Sequence, residues 1–196
     1  MAWASTHLSL LSRVRNPEDH HAWTVFESRY GDLIVRYCRS RGLQLTDAED
    51  VRQVVLMSLS RSMRGFNYLA SRGRFRTYLA CVVRNAIFRL KRCPETLQGD
   101  LSHMADEVRE VDDTPDELWD KEWMDHHLRR AIRTVRQSLR SQSMRVFERL
   151  LSGGTMSEAA SEFGMSVEAV KKIQQRVRLR LTQEIALQIE EEDPCA

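Results

Sequence analysis

The sequence predicts an all-α protein with two helical domains, and three observations lead to this prediction. The 196 residues include only 7% aromatics and four prolines, whereas Arg, Leu, Glu and Ala, which favour helices, recur throughout. Apolar residues recur at helical spacing in several long segments. No segment shows the apolar–polar alternation of a strand over a useful length. A chain of this length can bury one core or two small ones.

Two helices are predicted near the N-terminus from their end signals. A short helix is expected around Leu8 to Val14. Asn16 and Pro17 then offer an N-cap and a proline at the first helical position of a second helix. The apolar stripe of this second helix runs from Trp23 to Tyr37, and Gly42 is expected to stop it.

Two further helices complete the predicted first domain, residues 1–92. Thr46 and Glu49 have the spacing of a capping box, which opens a helix that ends near Gly65. Apolar residues between Phe75 and Leu90 mark another long helix, and Pro94 is expected to terminate it.

The second domain follows a segment of different composition. Between Cys93 and Asp113 the periodicity fades and Asp, Glu, Gly, Ser and Thr accumulate, which indicates an acidic linker at 93–113. A capping box at Thr114–Glu117 then opens a domain predicted at 114–185, and an acidic tail is expected at 186–196. Two apolar stripes predict two helices in this domain. The first stripe consists of Trp119, Trp123, Leu128, Ile132, Val135 and Leu139. The second consists of Met144, Val146, Phe147 and Leu150, and its helix is expected to end at Gly153 and Gly154.

Charge is sorted along the chain, although the formal net charge is only +2. The 32 residues from Arg61 to Arg92 contain nine basic side chains and no acidic one. The segment from Cys93 to Leu128 has a net charge of −10, and Arg129 to Leu181 has a net charge of +8. Two basic blocks separated by an acidic connector predict two separate contacts with a polyanion.

A helix-turn-helix is predicted at Thr155–Leu181. Thr155 caps a short helix, Gly164 supplies the positive φ of a tight turn, and Ser166 caps the second helix. The apolar residues from Val170 to Leu181 lie on one face of that helix. The rest of its surface suits contacts in the major groove of duplex DNA. The candidate DNA-binding residues here are Ser166, Lys171, Lys172, Gln174, Gln175, Arg176 and Arg178.

The segment around the fourth predicted helix combines cations with flat rings. Bases of single-stranded DNA stack on aromatic side chains while cations follow the backbone, so this combination is typical of single-strand binding. Phe75 and Tyr78 are also candidates for the core, and one of them is expected to be buried.

Several functional classes lack support in the sequence. The four cysteines and six histidines show no metal-ligand spacing, so reduced thiols and no metal are expected. No catalytic constellation or phosphate-binding glycine loop is present, and neither an enzyme nor a cofactor is predicted. Without an apolar run of spanning length or a signal peptide, the chain is expected to be cytoplasmic and not to insert into a membrane.

Three motifs in this order resemble the extracytoplasmic-function group of bacterial sigma factors, in the sigma-70 family. The stretch Asp47–Leu56 is similar to the polymerase-binding motif of that family. The stretch Gly73–Leu79, with Asn85 further on, is similar to the segment that melts and reads the minus-ten element. The helix-turn-helix resembles the reader of the minus-thirty-five element. The resemblance covers roughly Leu8 to Leu181.

The resemblance implies roles for particular residues and partners. Core RNA polymerase would be contacted through its β′ clamp helices and its β flap, and promoter DNA would be bound both as duplex and as single strand. A separate anti-sigma factor is a further candidate partner. The polymerase-binding candidates are Asp47, Glu49, Asp50, Gln53 and Val54. The minus-ten candidates are Phe66, Arg74, Arg76, Tyr78, Arg84, Asn85 and Arg89.

Departures from the family pattern and rival functions remain open at this point. Tyr78 stands where relatives usually carry Trp, and Ile173-Gln174 shifts an apolar position in the recognition helix. A stand-alone helix-turn-helix regulator explains Thr155–Leu181 but leaves Thr46–Arg92 unexplained. An adaptor that acts through protein contacts alone has no need of an acid-free basic block.

Overall fold

The computed structural model describes residues 10–63, 75–92 and 116–192, and these ranges consist of helices and their connections without any strand. The predicted all-α class is confirmed. The described residues form two compact units, divided between Trp123 and Met124 and again between Glu190 and Glu191, so that the end of the last helix is assigned to the first unit. The helices are α1 (Leu10–Arg13), α2 (His20–Ser40), α3 (Leu45–Ser62), α4 (Phe75–Arg92), α5 (Glu117–Ser138), α6 (Ser141–Leu151), α7 (Met156–Glu162) and α8 (Val167–Glu192).

The first unit is built around aromatic rings supplied by α2, α4 and the start of α5. The Phe26 and Tyr30 ring centroids lie 4.7 Å apart, and Tyr30 lies 5.4 Å from Phe75. Tilted ring pairs of this kind contribute about 0.5–1.5 kcal/mol each beyond the apolar area that they bury. Aliphatic residues of α3, among them Val51 and Val55, close the core. This core holds α3 and α4, the two helices with predicted binding residues, in fixed positions.

Two helix starts in the first unit differ from their predicted positions. The N-cap of α2 is Asp19, whose carboxylate accepts a hydrogen bond from the Ala22 N–H, and Asn16 instead closes a turn with the Glu18 N–H. Helix α3 begins at Leu45 after Gln44, so Thr46 lies inside the helix and forms no capping box. Several adjacent polar residues can cap a helix, and tertiary packing selects among them. Gly42, with φ +87°, follows the end of α2 as predicted.

The start of α5 packs into the first unit, although the sequence places residues 114–185 in the second domain. Trp119 and Trp123 are almost fully buried in the first core, where Trp119 meets the ring of Tyr37 edge-on at 5.0 Å. Asp116 caps this helix through a 3.0 Å hydrogen bond from the Trp119 N–H, and Thr114 of the predicted capping box lies outside the described residues. The predicted linker, 93–113, lies outside the described residues.

The second unit contains the rest of α5 together with α6, α7 and α8 as far as Glu190. One cluster joins Val135 of α5, Phe147 of α6 and Val177 of α8, and a second joins α6 and α7 to Val170 of α8. Leu128 was expected in the core stripe of α5 but is 40% exposed, because His127 and Ala131 occupy the buried positions.

Helix α8 extends well beyond the predicted second domain. It runs to Glu192 and takes up most of the acidic tail predicted at 186–196. Gln188 accounts for this extension, because its buried amide lies 3.2 Å from His127 Nδ1 and donates to Glu184, one turn earlier on α8. None of the described helices is long and apolar enough to cross a membrane.

Candidate polymerase and nucleic-acid interfaces

Helix α3 presents a polar strip to solvent at its predicted polymerase-binding residues. Asp50 and Gln53 are exposed and Asp47 is half-buried, and their spacing places them along one edge of the helix. Val51 and Val55, on the opposite side, are completely buried. The strip is therefore available to a partner while its own helix is fixed by the core.

The other two polymerase-binding candidates have structural contacts of their own. Glu49 accepts a 2.6 Å hydrogen bond from Arg52, which also pairs with Glu27 of α2 at 2.5 Å. Val54 is only 8% exposed and belongs to the core cluster. A partner can therefore contact three of the five candidates, Asp47, Asp50 and Gln53. The other two, Glu49 and Val54, chiefly hold α3 in place within the unit.

Helix α4 presents a basic surface, and none of its own side chains is a carboxylate. Its 18 residues include five cations and no acid. Arg84, Asn85 and Arg89 are half-buried, with the Arg84 guanidinium donating to the Cys81 sulfur at 3.2 Å. The apolar side of the helix, including Phe75, is buried, so the cations project from a rigid support. Such a surface attracts a polyanion.

Two minus-ten candidates on α4 are engaged within the first unit. The Arg76 guanidinium pairs with the Asp120 carboxylate and lies 5.8 Å from the ring centroid of Trp123. The Tyr78 hydroxyl lies 2.8 Å from the Ser62 hydroxyl, and burial raises the pKa of this phenol. Tyr78 is partly buried and therefore has limited area for stacking. Phe75 is fully buried, so one of these two rings is a core residue, as expected.

In the second unit, the turn between α7 and α8 follows the predicted pattern in detail. Thr155 and Glu158 form a capping box, with reciprocal hydrogen bonds of 3.2 and 3.1 Å. Gly164 has φ +61°, and the Ser166 hydroxyl accepts from the Ala169 N–H at 3.2 Å. These contacts fix where α8 begins and which face it turns outward.

The outward face of α8 displays most of the predicted duplex-binding residues. Val170 and Val177 are fully buried, so one face of α8 packs against the core and the opposite face is exposed to solvent. Gln174 is half-buried and Lys171 pairs with Glu168 at 3.1 Å. The exposed candidates are Ser166, Lys171, Lys172, Gln175, Arg176 and Arg178.

Two candidate residues are not described by the structure, and two exposed residues on these surfaces were not predicted from the sequence. Phe66 and Arg74 lie outside the described residues. Met57, 49% exposed, extends the α3 strip one turn beyond Gln53. Phe88, 56% exposed, lies on the basic face of α4. Helical spacing alone could have flagged both positions, because each falls on the polar side of its helix.

Comparison with known families adds an independent observation. Residues 28–93 match the family model of sigma-70 region 2. This part of the chain is similar to sigma-70 region 2. It contains most of α2 and all of α3 and α4, so the polar strip and the basic surface both lie within the matched residues. Neither the curated proteins nor the solved structures give a match.

The region 2 match supports a sigma-factor role in RNA polymerase binding and promoter recognition. It covers about a third of the chain and ends before α5. The basic face of α8 therefore lies outside the matched residues. Within the described ranges, no group of three or more His, Cys, Asp or Glu side chains is placed to hold a metal ion.

Proposed function

We propose that this protein is an alternative sigma factor of the extracytoplasmic-function group. It binds core RNA polymerase, directs it to particular promoters and takes part in opening promoter DNA. The covalent chemistry belongs to the polymerase, so the chain itself is not an enzyme. The observation that carries this proposal is the region 2 match, because it coincides with the α3 strip and the α4 basic surface.

The proposal divides the work between the two units. In region 2, Asp47, Asp50 and Gln53 meet the β′ clamp helices of the polymerase, while α4 holds the separated promoter strand. In the second unit, α8 enters the major groove, where the residues near its N-terminus meet base edges and the later arginines meet phosphates. The β flap and an anti-sigma factor are further proposed partners, and the proposed location is the cytoplasm.

A second candidate function is a stand-alone regulator that binds duplex DNA through α7 and α8 without polymerase. The capped turn at Gly164 and the cations of α8 favour it as much as they favour a sigma factor. The region 2 match favours the sigma factor, because a duplex-only regulator has no use for that segment.

Association with core polymerase separates the two candidates. The full chain should co-elute with core polymerase from its source organism and should support transcription from specific start sites. Replacing Asp50 and Gln53 together by alanine should weaken this association by about tenfold, since a few central residues carry most of an interface's free energy. Both side chains are exposed, so the thermal unfolding temperature should change little.

A matched control is available on the neighbouring helix. Ser28 and Asp32 of α2 are also exposed, one polar and one acidic, and lie at similar helical spacing. Alanine at both should leave polymerase association unchanged. Equal association of the wild-type protein and the Asp50/Gln53 variant would reject the α3 interface. Sequence-specific DNA binding with no association at all would favour the stand-alone regulator.

A further inference from the structure

Phe88 is an exposed aromatic ring on the basic face of α4, and no predicted role includes it. More than half of its surface, 56%, is exposed, whereas Phe75 at the start of the same helix is buried. A single exposed apolar side chain is common on protein surfaces and by itself indicates nothing. Its surroundings make Phe88 informative.

The guanidinium of Arg92 lies over the ring of Phe88, with 4.7 Å between its central carbon and the ring centroid. The two residues are one helical turn apart, so this pair needs no other element to hold it. A guanidinium on one face of a ring orients that ring and leaves its remaining surface to another flat group. The pair is thus a preformed planar surface with a positive charge beside it.

The neighbours of Phe88 specify the partner by their charge. Arg84 and Asn85 precede it by one turn and fall on the same face, and Arg89 and Lys91 flank it. Helix α4 contains no carboxylate that would repel an anion. An exposed ring with cations beside it suits a partner that is both anionic and aromatic. Nucleic acid has both properties.

We propose that Phe88, supported by Arg92, is a stacking site for one unpaired base of promoter DNA. The base must be unpaired, because in an intact duplex the faces of each base are covered by its neighbours in the stack. Arg84 and Arg89 bind the adjacent phosphates. The Phe88 ring stacks on the face of the unpaired base, a contact that is not available in an intact duplex. This inference rests on the proposed function and adds to it a residue that favours the open strand.

The test uses holoenzyme, assembled from the full chain and core polymerase, on a promoter identified by start-site mapping. Binding is measured to a set of fragments in which one nucleotide of the promoter strand at a time has lost its base. Phe88→Ala should weaken binding to the intact fragment on the order of tenfold, as expected for loss of one base–aromatic stack. On the single fragment that lacks the stacked base, wild type and variant should bind equally.

Conservative variants separate stacking from simple apolar contact. Phe88→Tyr keeps a planar ring and should bind like the wild type, whereas Phe88→Leu keeps an apolar side chain and should lose most of the affinity. Because Phe88 carries no charge, its variants should keep the wild-type dependence of affinity on salt. Arg89→Ala, in contrast, should reduce the salt slope by about one phosphate contact.

Three results would overturn the inference. The loss in Phe88→Ala could be the same on every base-deleted fragment, Phe88→Leu could match the wild type, or Phe88→Ala could weaken association with core polymerase instead of DNA. In each case the wild-type chain still forms holoenzyme and directs transcription, so the proposed function survives. If the wild-type chain neither binds core polymerase nor directs transcription, the proposed function itself fails.

Discussion

Asp116 links the start of α5 to α2 through one carboxylate. It accepts hydrogen bonds from the Tyr37 hydroxyl and, at 2.6 Å, from Arg41, and it caps α5 through the Trp119 N–H. Burial raises the pKa of the Asp116 carboxyl, but the hydrogen bonds from these three donors together lower it below its ordinary value. The charged form of Asp116 is therefore favoured by folding.

This shift predicts how the stability of the first unit depends on pH. A carboxylate with a lowered pKa in the folded state adds stability above its ordinary pKa, and the stability is lost as the pH falls towards the folded value. Asp116→Asn keeps a capping acceptor but removes the charge. The variant should unfold at a lower temperature than the wild type near pH 7, and the gap should narrow as the pH falls below the ordinary carboxyl pKa of 3.8.

Thermal unfolding of the full chain over a pH series measures this gap. Glu117→Gln is the matched control, since Glu117 is the next residue along the chain and is exposed. Its unfolding temperature should stay close to that of the wild type at each pH. A constant gap between wild type and Asp116→Asn across the series would show that the charge of Asp116 does not contribute.

Sequence patterns predicted the type of each residue's environment better than its particular partner. The periodicity correctly placed Val51, Phe75 and Val177 in the interior. It could not show that Tyr78 would meet Ser62 or that Arg76 would pair with Asp120, because such contacts join residues far apart in the chain. Spacing along one helix carries no information about which other helix will cover it.

At the scale of elements, Gly164 sets the turn between α7 and α8. Its φ of +61° is a conformation that residues with a side chain rarely adopt, yet a Cβ added there would meet no atom within 4 Å. Substitution should therefore cost only backbone strain. Gly164→Ala should destabilise the second unit by about 1–2 kcal/mol, and Gly164→Asn by less, because asparagine tolerates this conformation better.

Calorimetric unfolding of the full chain can test this ranking. Gly42, at the end of α2, also has a positive φ of +87° and open space around it. Gly42→Ala should thus cause a loss of similar size, but in the first unit. Equal stability of Gly164→Ala and the wild type would mean that the turn relaxes to another conformation without cost.

Helix α8 should show two kinds of binding residue along its length. Lys171 and Lys172 are near its N-terminus, where recognition helices contact bases, and Arg178 and Arg180 are two turns later. Alanine at Lys171 or Lys172 should change the order of preference among promoter sequences. Alanine at Arg178 or Arg180 should weaken binding to all sequences and reduce the salt slope by about one per lost phosphate contact.

Duplex-binding titrations on a panel of promoter sequences at several salt concentrations distinguish these effects. Gln183 of α8 is exposed beyond the basic residues and provides a control, since its replacement by alanine should alter neither quantity. If every variant lost the same factor on every sequence, this face of α8 would have no role in reading bases.

The helices themselves were largely predictable, but their assignment to units was not. Helices end or are separated where the sequence indicated, at Gly42, Gly153 and Gly164, and all three glycines have a positive φ. Such helix ends can be predicted because a backbone position with positive φ usually carries glycine. Trp119 and Trp123 were correctly predicted to share a buried face, yet they pack into the first unit. An apolar stripe predicts that one face of a helix is buried, but it does not show in which core that face is buried.

For the whole molecule, the distribution of charge separates two kinds of DNA contact. The acid-free surface lies on α4 in the first unit, and the second basic surface lies on α8 in the other unit. A protein that only bound duplex DNA would need one of them. Under the proposed function, α8 supports binding of the closed promoter, and α4 with the segment that precedes it in the sequence supports its opening.

This division predicts that binding and opening can be disrupted separately. Asn85→Ala on α4, and Phe66→Ala in the segment before it, should leave closed-promoter binding almost unchanged but slow strand opening. Loss of one stacked base costs about 1–3 kcal/mol, so opening should slow by about tenfold or more. A template with a preformed mismatch bubble at the start site should restore much of the lost transcription, because capture of an unpaired base no longer has to drive melting. Lys171→Ala, which acts on the duplex, should be impaired on both templates. If the Asn85 and Phe66 variants were equally defective on bubble and duplex templates, these residues would stabilise the fold and would have no role in strand opening.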